Sequence, residues 1–131
     1  MPTFICNALV EDGLTNVLVE DNLINQQAFK MMIQKMGCQI DVLSNGKQAV
    51  EHFSKSEYDI VFMDIQMPEM DGLEATSKIK EQYDSVPPII GLSGNILPRD
   101  ENGNIDAEMD DLLLKPVVAQ DIERMIKKWA S

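Results

Sequence analysis

Residues 60–72 read Ile-Val-Phe-Met-Asp-Ile-Gln-Met-Pro-Glu-Met-Asp-Gly. An apolar run, Ile60 to Met63, drives into a carboxylate, Asp64, and then into a short loop holding Pro68 and Gly72. A short, partly β-branched apolar run bounded by turn residues reads as a buried strand. Such a strand carries Asp64 to the rim of a sheet, and open α/β sheets place their chemistry at the carboxyl ends of strands. The plainer role for Asp64, capping the next helix, suits Asp71 and Glu74 better. Asp71-Gly72-Leu73-Glu74 opens a helix with an acid three residues after the cap.

Working outward, the pattern repeats. Asn16 to Asn22 is a first strand that also ends in acid, Glu20 and Asp21. A helix follows, with Ala28, Phe29, Met32, Ile33 and Met36 on one face and Gly37 as its stop. Gln39 to Leu43 is a short strand, and Ser44-Asn45-Gly46 turns into a helix whose inward face is Ala49, Val50 and Phe53. After the Asp64 strand comes a helix facing inward through Leu73, Thr76 and Ile79, broken by Pro87-Pro88. Ile89 to Leu92 forms a strand ending at Ser93. Ile96 to Met109 reads two ways: Pro98 suits a first helical turn, whereas Asn102-Gly103-Asn104 weakens a helix. Leu112 to Leu114 is the last strand, ending at Lys115-Pro116, and Val118, Ile122, Met125, Ile126 and Trp129 stripe a final helix. Residues 1–15 read as an extension or linker, and 16–131 as one domain.

Strands alternating with helices predict a parallel sheet covered on both faces, a three-layer α/β/α domain. Right-handed crossovers bring the carboxyl ends of all strands to one edge. That edge collects Glu20, Asp21, Asp64, Ser93 and Lys115. Carboxylates crowded at one rim raise each other's proton affinity, and a divalent cation resolves the conflict. Mg²⁺ suits oxygen ligands, keeps several waters and is bound through one or two carboxylates plus phosphate oxygens. A lysine adds a point charge for phosphate, and a serine adds one hydroxyl. The set fits phosphoryl transfer, with Asp64 as the nucleophile of aspartyl-phosphate chemistry. Each piece also has an ordinary explanation: a helix cap at 20–22, a loop pair at Ser93-Gly94, a strand exit at Lys115-Pro116. Their joint placement at the ends of four strands argues against coincidence.

The whole-chain balance agrees. With 11 basic and 22 acidic residues the net charge is −11, a surface that repels nucleic acid and anionic membrane. No stretch resembles a transmembrane span, and the first residues lack the pattern of a signal peptide. The expected setting is cytoplasmic, with Cys6 and Cys38 as free thiols.

From about Asn16 to Ala130 the chain resembles a response-regulator receiver domain. The resemblance rests on Val-Leu-Val-Glu20-Asp21-Asn, Phe-Met-Asp64-Ile-Gln-Met-Pro-Glu-Met-Asp-Gly, Gly-Leu-Ser93-Gly-Asn and Leu-Leu-Lys115-Pro116. The separations between Asp21, Asp64, Ser93 and Lys115 agree with the family as well. The run Val-Glu-Asp-Asn-Leu-Ile-Asn-Gln is most similar to receivers carried by hybrid sensor histidine kinases.

The resemblance implies a flavodoxin-like, doubly wound five-stranded sheet in the order 2-1-3-4-5. It implies that Asp64 accepts a phosphoryl group from a phosphohistidine of a histidine kinase or histidine phosphotransfer domain. Asp21, Asp64 and the Gln66 backbone carbonyl would bind Mg²⁺ directly, and Glu20 through a metal-bound water. Ser93 and Lys115 would contact phosphoryl oxygens, with a cis Lys115-Pro116 bond. The isolated domain would be a monomeric switch or relay module of a two-component phosphorelay, and not an enzyme in its own right. A longer parent chain could be a hybrid histidine kinase.

Some positions depart from the family pattern. Ser93 replaces the commoner Thr and Gly91 a frequent Ala. Leu112 stands where an aromatic switch residue usually sits, and Glu108 where Gly is common. Leu112 and Glu108 bear on signal readout rather than on phosphoryl chemistry. His52, beside Phe53 in the second helix, lacks the helical hairpin of a histidine phosphoacceptor and reads as a surface or packing residue. Two rival readings remain. A metal-dependent aspartyl-phosphate phosphatase would need an acid two residues after the nucleophile, where this chain has Gln66. A degenerate, binding-only receiver would have lost site residues, and all are present.

Overall fold

A computed structural model describes residues 15–52, 58–67, 69–83, 85–94 and 109–129. Phe53, Glu108, Cys6 and nearly all of the ambiguous segment 96–109 lie outside them. The described elements run β1 (Thr15–Val19), α1 (Leu23–Lys35), β2 (Gln39–Leu43), α2 (Gly46–His52), β3 (Ile60–Asp64), α3 (Gly72–Gln82), β4 (Ile89–Ser93), β5 (Asp111–Leu114) and α4 (Ala119–Trp129). The strands form one sheet in the order β2-β1-β3-β4-β5, every neighbouring pair parallel.

Alternation along the strands builds two cores, one on each face. Leu18, Phe62, Ile90 and Leu113 point to the face covered by α1 and α4, where Phe29, Ile33, Ile122 and Ile126 meet them. Phe29 and Phe62 sit with ring centroids 5.0 Å apart in a tilted pair. Val17, Val19, Val61, Met63 and Ile89 point to the opposite face, against Ala49 of α2 and Ala75 and Ile79 of α3. The central strand β3 is buried along its whole length, as a parallel strand covered on both faces must be.

Helix ends follow their local chemistry. The Asn22 side chain accepts a hydrogen bond from the Asn25 N–H at 3.0 Å and starts α1. Gly37 ends it with a φ of 76°, a left-handed conformation that glycine adopts without a Cβ clash. The Asp71 side chain accepts from the Glu74 N–H at 2.8 Å and starts α3. At the far end of the chain, Asp111 on the edge strand accepts from Lys128 Nζ at 2.8 Å and Trp129 Nε1 at 3.1 Å. These bonds tie α4 to the sheet and hold the Asp111 carboxyl below its ordinary range against the effect of its partial burial.

Three expectations are corrected. Ala28, assigned to the inward face of α1, is exposed, because it sits one residue short of the buried Phe29 row. Val118 is exposed and precedes α4, so it belongs to the connecting loop rather than to the helix stripe. Cys38 is buried and disulfide-bonded, where a free thiol was expected. Residue spacing and compartment do not determine which sulfurs meet in space.

Asp71 fixes the start of the helix that lies against Asp64, so its cap is expected to matter. Asp71→Ala should lower unfolding free energy by about 1 kcal/mol, and Asp71→Ser should restore most of it. Urea unfolding checks this; equal stability of wild type and the alanine variant would remove the cap from the account.

Candidate functional site

Register determines which side chains share the rim. Val19 pairs with Met63 and Leu43, so Glu20 and Asp21 leave β1 level with the end of β3. Asp64 pairs with Leu92 and Ser93 with Leu114. Lys115 therefore follows Ser93 by one step across the sheet, and its N–H donates to the Ser93 carbonyl at 2.7 Å. The structure thus brings Glu20, Asp21, Asp64, Ser93 and Lys115 to one edge. Glu20, Asp64 and Ser93 are buried, Lys115 is half-buried, and Asp21 and Gln66 are exposed.

Lys115 is the hinge of the charge arrangement. Its Nζ donates to Asp64 Oδ1 at 3.0 Å and to Glu20 Oε1 at 3.4 Å. Burial opposes its charge, yet the hydrogen bond and charge of Asp64, then those of Glu20, hold the ammonium above its ordinary pKa. One ammonium cannot neutralise two carboxylates, and Glu20 takes the strain. Its carboxyl is pushed up from 4.5 to about 7. Burial is the largest cause, followed by a hydrogen bond with Asp64 that favours the protonated form; a hydrogen bond with Asn25 and the charge of Lys115 pull the other way.

Two features of the backbone seat Asp64. The Gln66 N–H donates to Asp64 Oδ1 at 3.2 Å. Gly72 lets the start of α3 lie directly on the strand end, its N–H donating to the Ile65 carbonyl at 2.9 Å. A Cβ at position 72 would come within 2.3 Å of the Asp64 carbonyl oxygen, so any side chain there displaces Asp64. Sequence reasoning saw Gly72 as a turn residue and missed this approach. The available signal was a glycine in the first turn of a helix, where it costs helix propensity unless something needs the space. Sequence reasoning also missed Asn25, one turn into α1, and Gln26, whose Nε2 donates to the Glu20 carbonyl at 2.6 Å. His52 is exposed at the end of α2, away from the rim. Leu112 is partly buried against the core on the α2–α3 face.

The acidic rim fits a hard cation. Glu20, Asp21 and Asp64 each offer a carboxylate oxygen, and these atoms lie within 4.8 Å of one another. Among the described residues no hydrogen-bond partner lies on the buried Glu20 Oε2, a situation that costs free energy until a donor or a metal-bound water supplies the missing contact. Oxygen-only donors at this spacing, two of them buried, suit Mg²⁺.

The protonation of Glu20 has a sign that can be measured. Between pH 4.5 and about 7 the folded chain binds a proton there that the unfolded chain has released. Its contribution to stability is therefore complete below pH 4.5 and lost as pH rises through about 7. Without Mg²⁺, stability should fall on the order of 2 kcal/mol more in wild type than in Glu20→Gln across that window. Millimolar Mg²⁺ should shrink the difference. Parallel stability–pH profiles for the two proteins would contradict the raised carboxyl.

Comparison with known proteins places this rim in a family. Residues 17–127 match the family of response regulator receiver domains. The aerobic respiration control sensor protein ArcB of Escherichia coli is 37% identical over 108 residues, which cover 81% of this chain but only 14% of ArcB. The receiver domain of sensor histidine kinase PA1611 from Pseudomonas aeruginosa, solved with a magnesium ion coordinated in its active-site cleft, is similar with a TM-score of 0.80 at 34% identity. That match covers 90% of this chain and 98% of the other. A chain of the Saccharomyces cerevisiae co-crystal of the histidine phosphotransfer protein Ypd1 with the receiver domain of Ssk1 is similar with a TM-score of 0.78 at 25% identity, covering 89% of this chain and 88% of that one. With a family match across most of its length and the same sheet order built independently from its strand pairing, the chain belongs to the response-regulator receiver domains of two-component phosphorelays.

Proposed function

We propose that Asp64 is the phosphoacceptor, taking a phosphoryl group from a phosphohistidine on a histidine kinase or histidine phosphotransfer domain. The observation that carries this reading is the buried Asp64 carboxylate paired at 3.0 Å with Lys115 Nζ beside a second buried carboxylate. In the transfer the histidine N–P bond breaks, an Asp64 O–P bond forms, and the released imidazole nitrogen takes a proton. Lys115 Nζ already lies 3.0 Å from Asp64 Oδ1, so its ammonium can follow the charge onto the phosphoryl oxygens without travelling far. Ser93, at the end of β4, offers its hydroxyl to the same oxygens. Bound Mg²⁺ supplies charge neutralisation for the transferring group. Its proposed ligands are Asp21, Asp64 and the Gln66 carbonyl, with Glu20 acting through a metal-bound water.

The receiver module is proposed to comprise residues 16–131, with 1–15 an extension, and to act as a monomer in the cytoplasm without contacting nucleic acid or membrane. Among the described residues no helix is long and apolar enough to cross a membrane. The chain spans a small part of the curated relatives it matches, and this domain is proposed to store and pass a phosphoryl group rather than to act as an enzyme. Gln66, in place of a second acid, supports storage over repeated hydrolysis.

Native mass spectrometry with Mg²⁺ and acetyl phosphate tests these points together. Wild type is expected to gain one phosphoryl group and to stay a single chain, while Asp64→Asn gains none. Labelling of the Asn variant would move the acceptor elsewhere, and release of many phosphates per chain would favour a phosphatase.

A further inference from the structure

Asp21, a proposed Mg²⁺ ligand, lies past the last residue of β1 and before the first of α1. It is exposed, yet one of its carboxylate oxygens lies within 4.8 Å of oxygens of Glu20 and Asp64. An exposed carboxylate on a connecting loop is aimed by its backbone. Whatever fixes that loop therefore sets how Asp21 meets the buried pair.

One residue grips the loop on both sides of Asp21. Gln26 Nε2 donates to the Glu20 carbonyl at 2.6 Å, and the Gln26 N–H donates to the Asn22 carbonyl at 2.9 Å. The Glu20 N–H is itself tied to the Leu43 carbonyl of β2 at 3.0 Å. A peptide unit is planar, so holding the Glu20 carbonyl also orients the N–H of Asp21 and the bond to its Cα. The backbone bond of Gln26 is ordinary for the first turn of a helix. The side-chain bond is not, since it reaches six residues back, past the helix cap, to the strand end. An amide also suits the place by charge. A lysine or arginine could donate to the same carbonyl, but would bring positive charge to a rim that has to accept a cation.

Resting on the reading of Asp21 as a metal ligand, we propose that Gln26 is a positioning residue for Mg²⁺. Its side-chain amide holds the turn at 20–22 so that Asp21 meets the ion together with Asp64. Gln26 acts through the backbone of that turn and not as a ligand.

Gln26→Glu separates position from charge. The substitution keeps the length of the side chain, removes the donor and adds a negative charge in the first turn of α1, where an anion does not weaken a helix. Charge alone would tighten Mg²⁺ binding, whereas loss of position loosens it. Gln26→Met removes the donor without adding charge. Mg²⁺ titrations of the whole chain at mildly alkaline pH, followed by the amide NMR shifts of Asp21 and Asp64, give the affinity, and urea unfolding gives the stability. Both variants should unfold as wild type does and bind Mg²⁺ roughly tenfold more weakly. Equal or tighter binding by Gln26→Glu than by wild type would overturn the proposal and leave the metal reading intact. Weakened binding that appears only together with lost stability would assign Gln26 to folding and overturn it too. No Mg²⁺-dependent shift at Asp21 or Asp64 in wild type would sink the metal reading, and this proposal with it.

Discussion

The ion pair between Lys115 and Asp64 is the contact on which the acidic rim depends. Two carboxylates, Glu20 and Asp64, are buried at one sheet edge, and a lone buried carboxylate costs several kcal/mol unless it is paired. Lys115 pairs best with Asp64 and less closely with Glu20, and burial, then the hydrogen bond with Asp64, push the Glu20 carboxyl up to about 7. The rim is thus poised rather than satisfied. Added positive charge is favourable there, and the carboxylate held by Lys115 is the one proposed as the phosphoacceptor.

The fold reaches this state through register. Parallel pairing ends β1, β3 and β4 at nearly the same level and leads β5 into Lys115 one step later. Close packing then fixes the side chains. The seat of Asp64 requires α3 to begin at Gly72, capped by Asp71, because no other residue permits that approach. The same α1 that covers the core with Phe29 and Ile33 leaves Leu23 and Ile24 exposed beside the rim.

Much of this was legible in the chain. Apolar runs ending in Asp64, Glu20 and Ser93 report strands that stop at a chemical edge, and the caps at Asn22 and Asp71 are local enough to read from residue type. The gathering of Glu20, Asp21, Asp64, Ser93 and Lys115 follows from alternation and handed crossovers alone. Other features depend on distances that sequence does not carry. The expected conflict among carboxylates is eased here by Lys115, which requires knowing that Nζ lies 3.0 Å from one acid and 3.4 Å from the other. Ala28 and Val118 fit a helical stripe by spacing, yet both are exposed, because a small rotation of α1 decides which apolar residue faces in and Val118 falls in the loop before α4. The bonding of Cys38 and the need for glycine at position 72 are both matters of three-dimensional approach.

The central claim is that Asp64 reacts while Lys115 and the acidic rim hold the charge. A crystal structure of the chain with Mg²⁺ and beryllofluoride, which stands in for the phosphoryl group, tests it most directly. The account expects beryllium bonded to an Asp64 oxygen, Lys115 Nζ and the Ser93 hydroxyl on fluorine atoms, and Mg²⁺ against Asp21, Asp64 and the Gln66 carbonyl. Beryllofluoride bound elsewhere, or Lys115 still paired with Glu20 and remote from the fluorines, would contradict it.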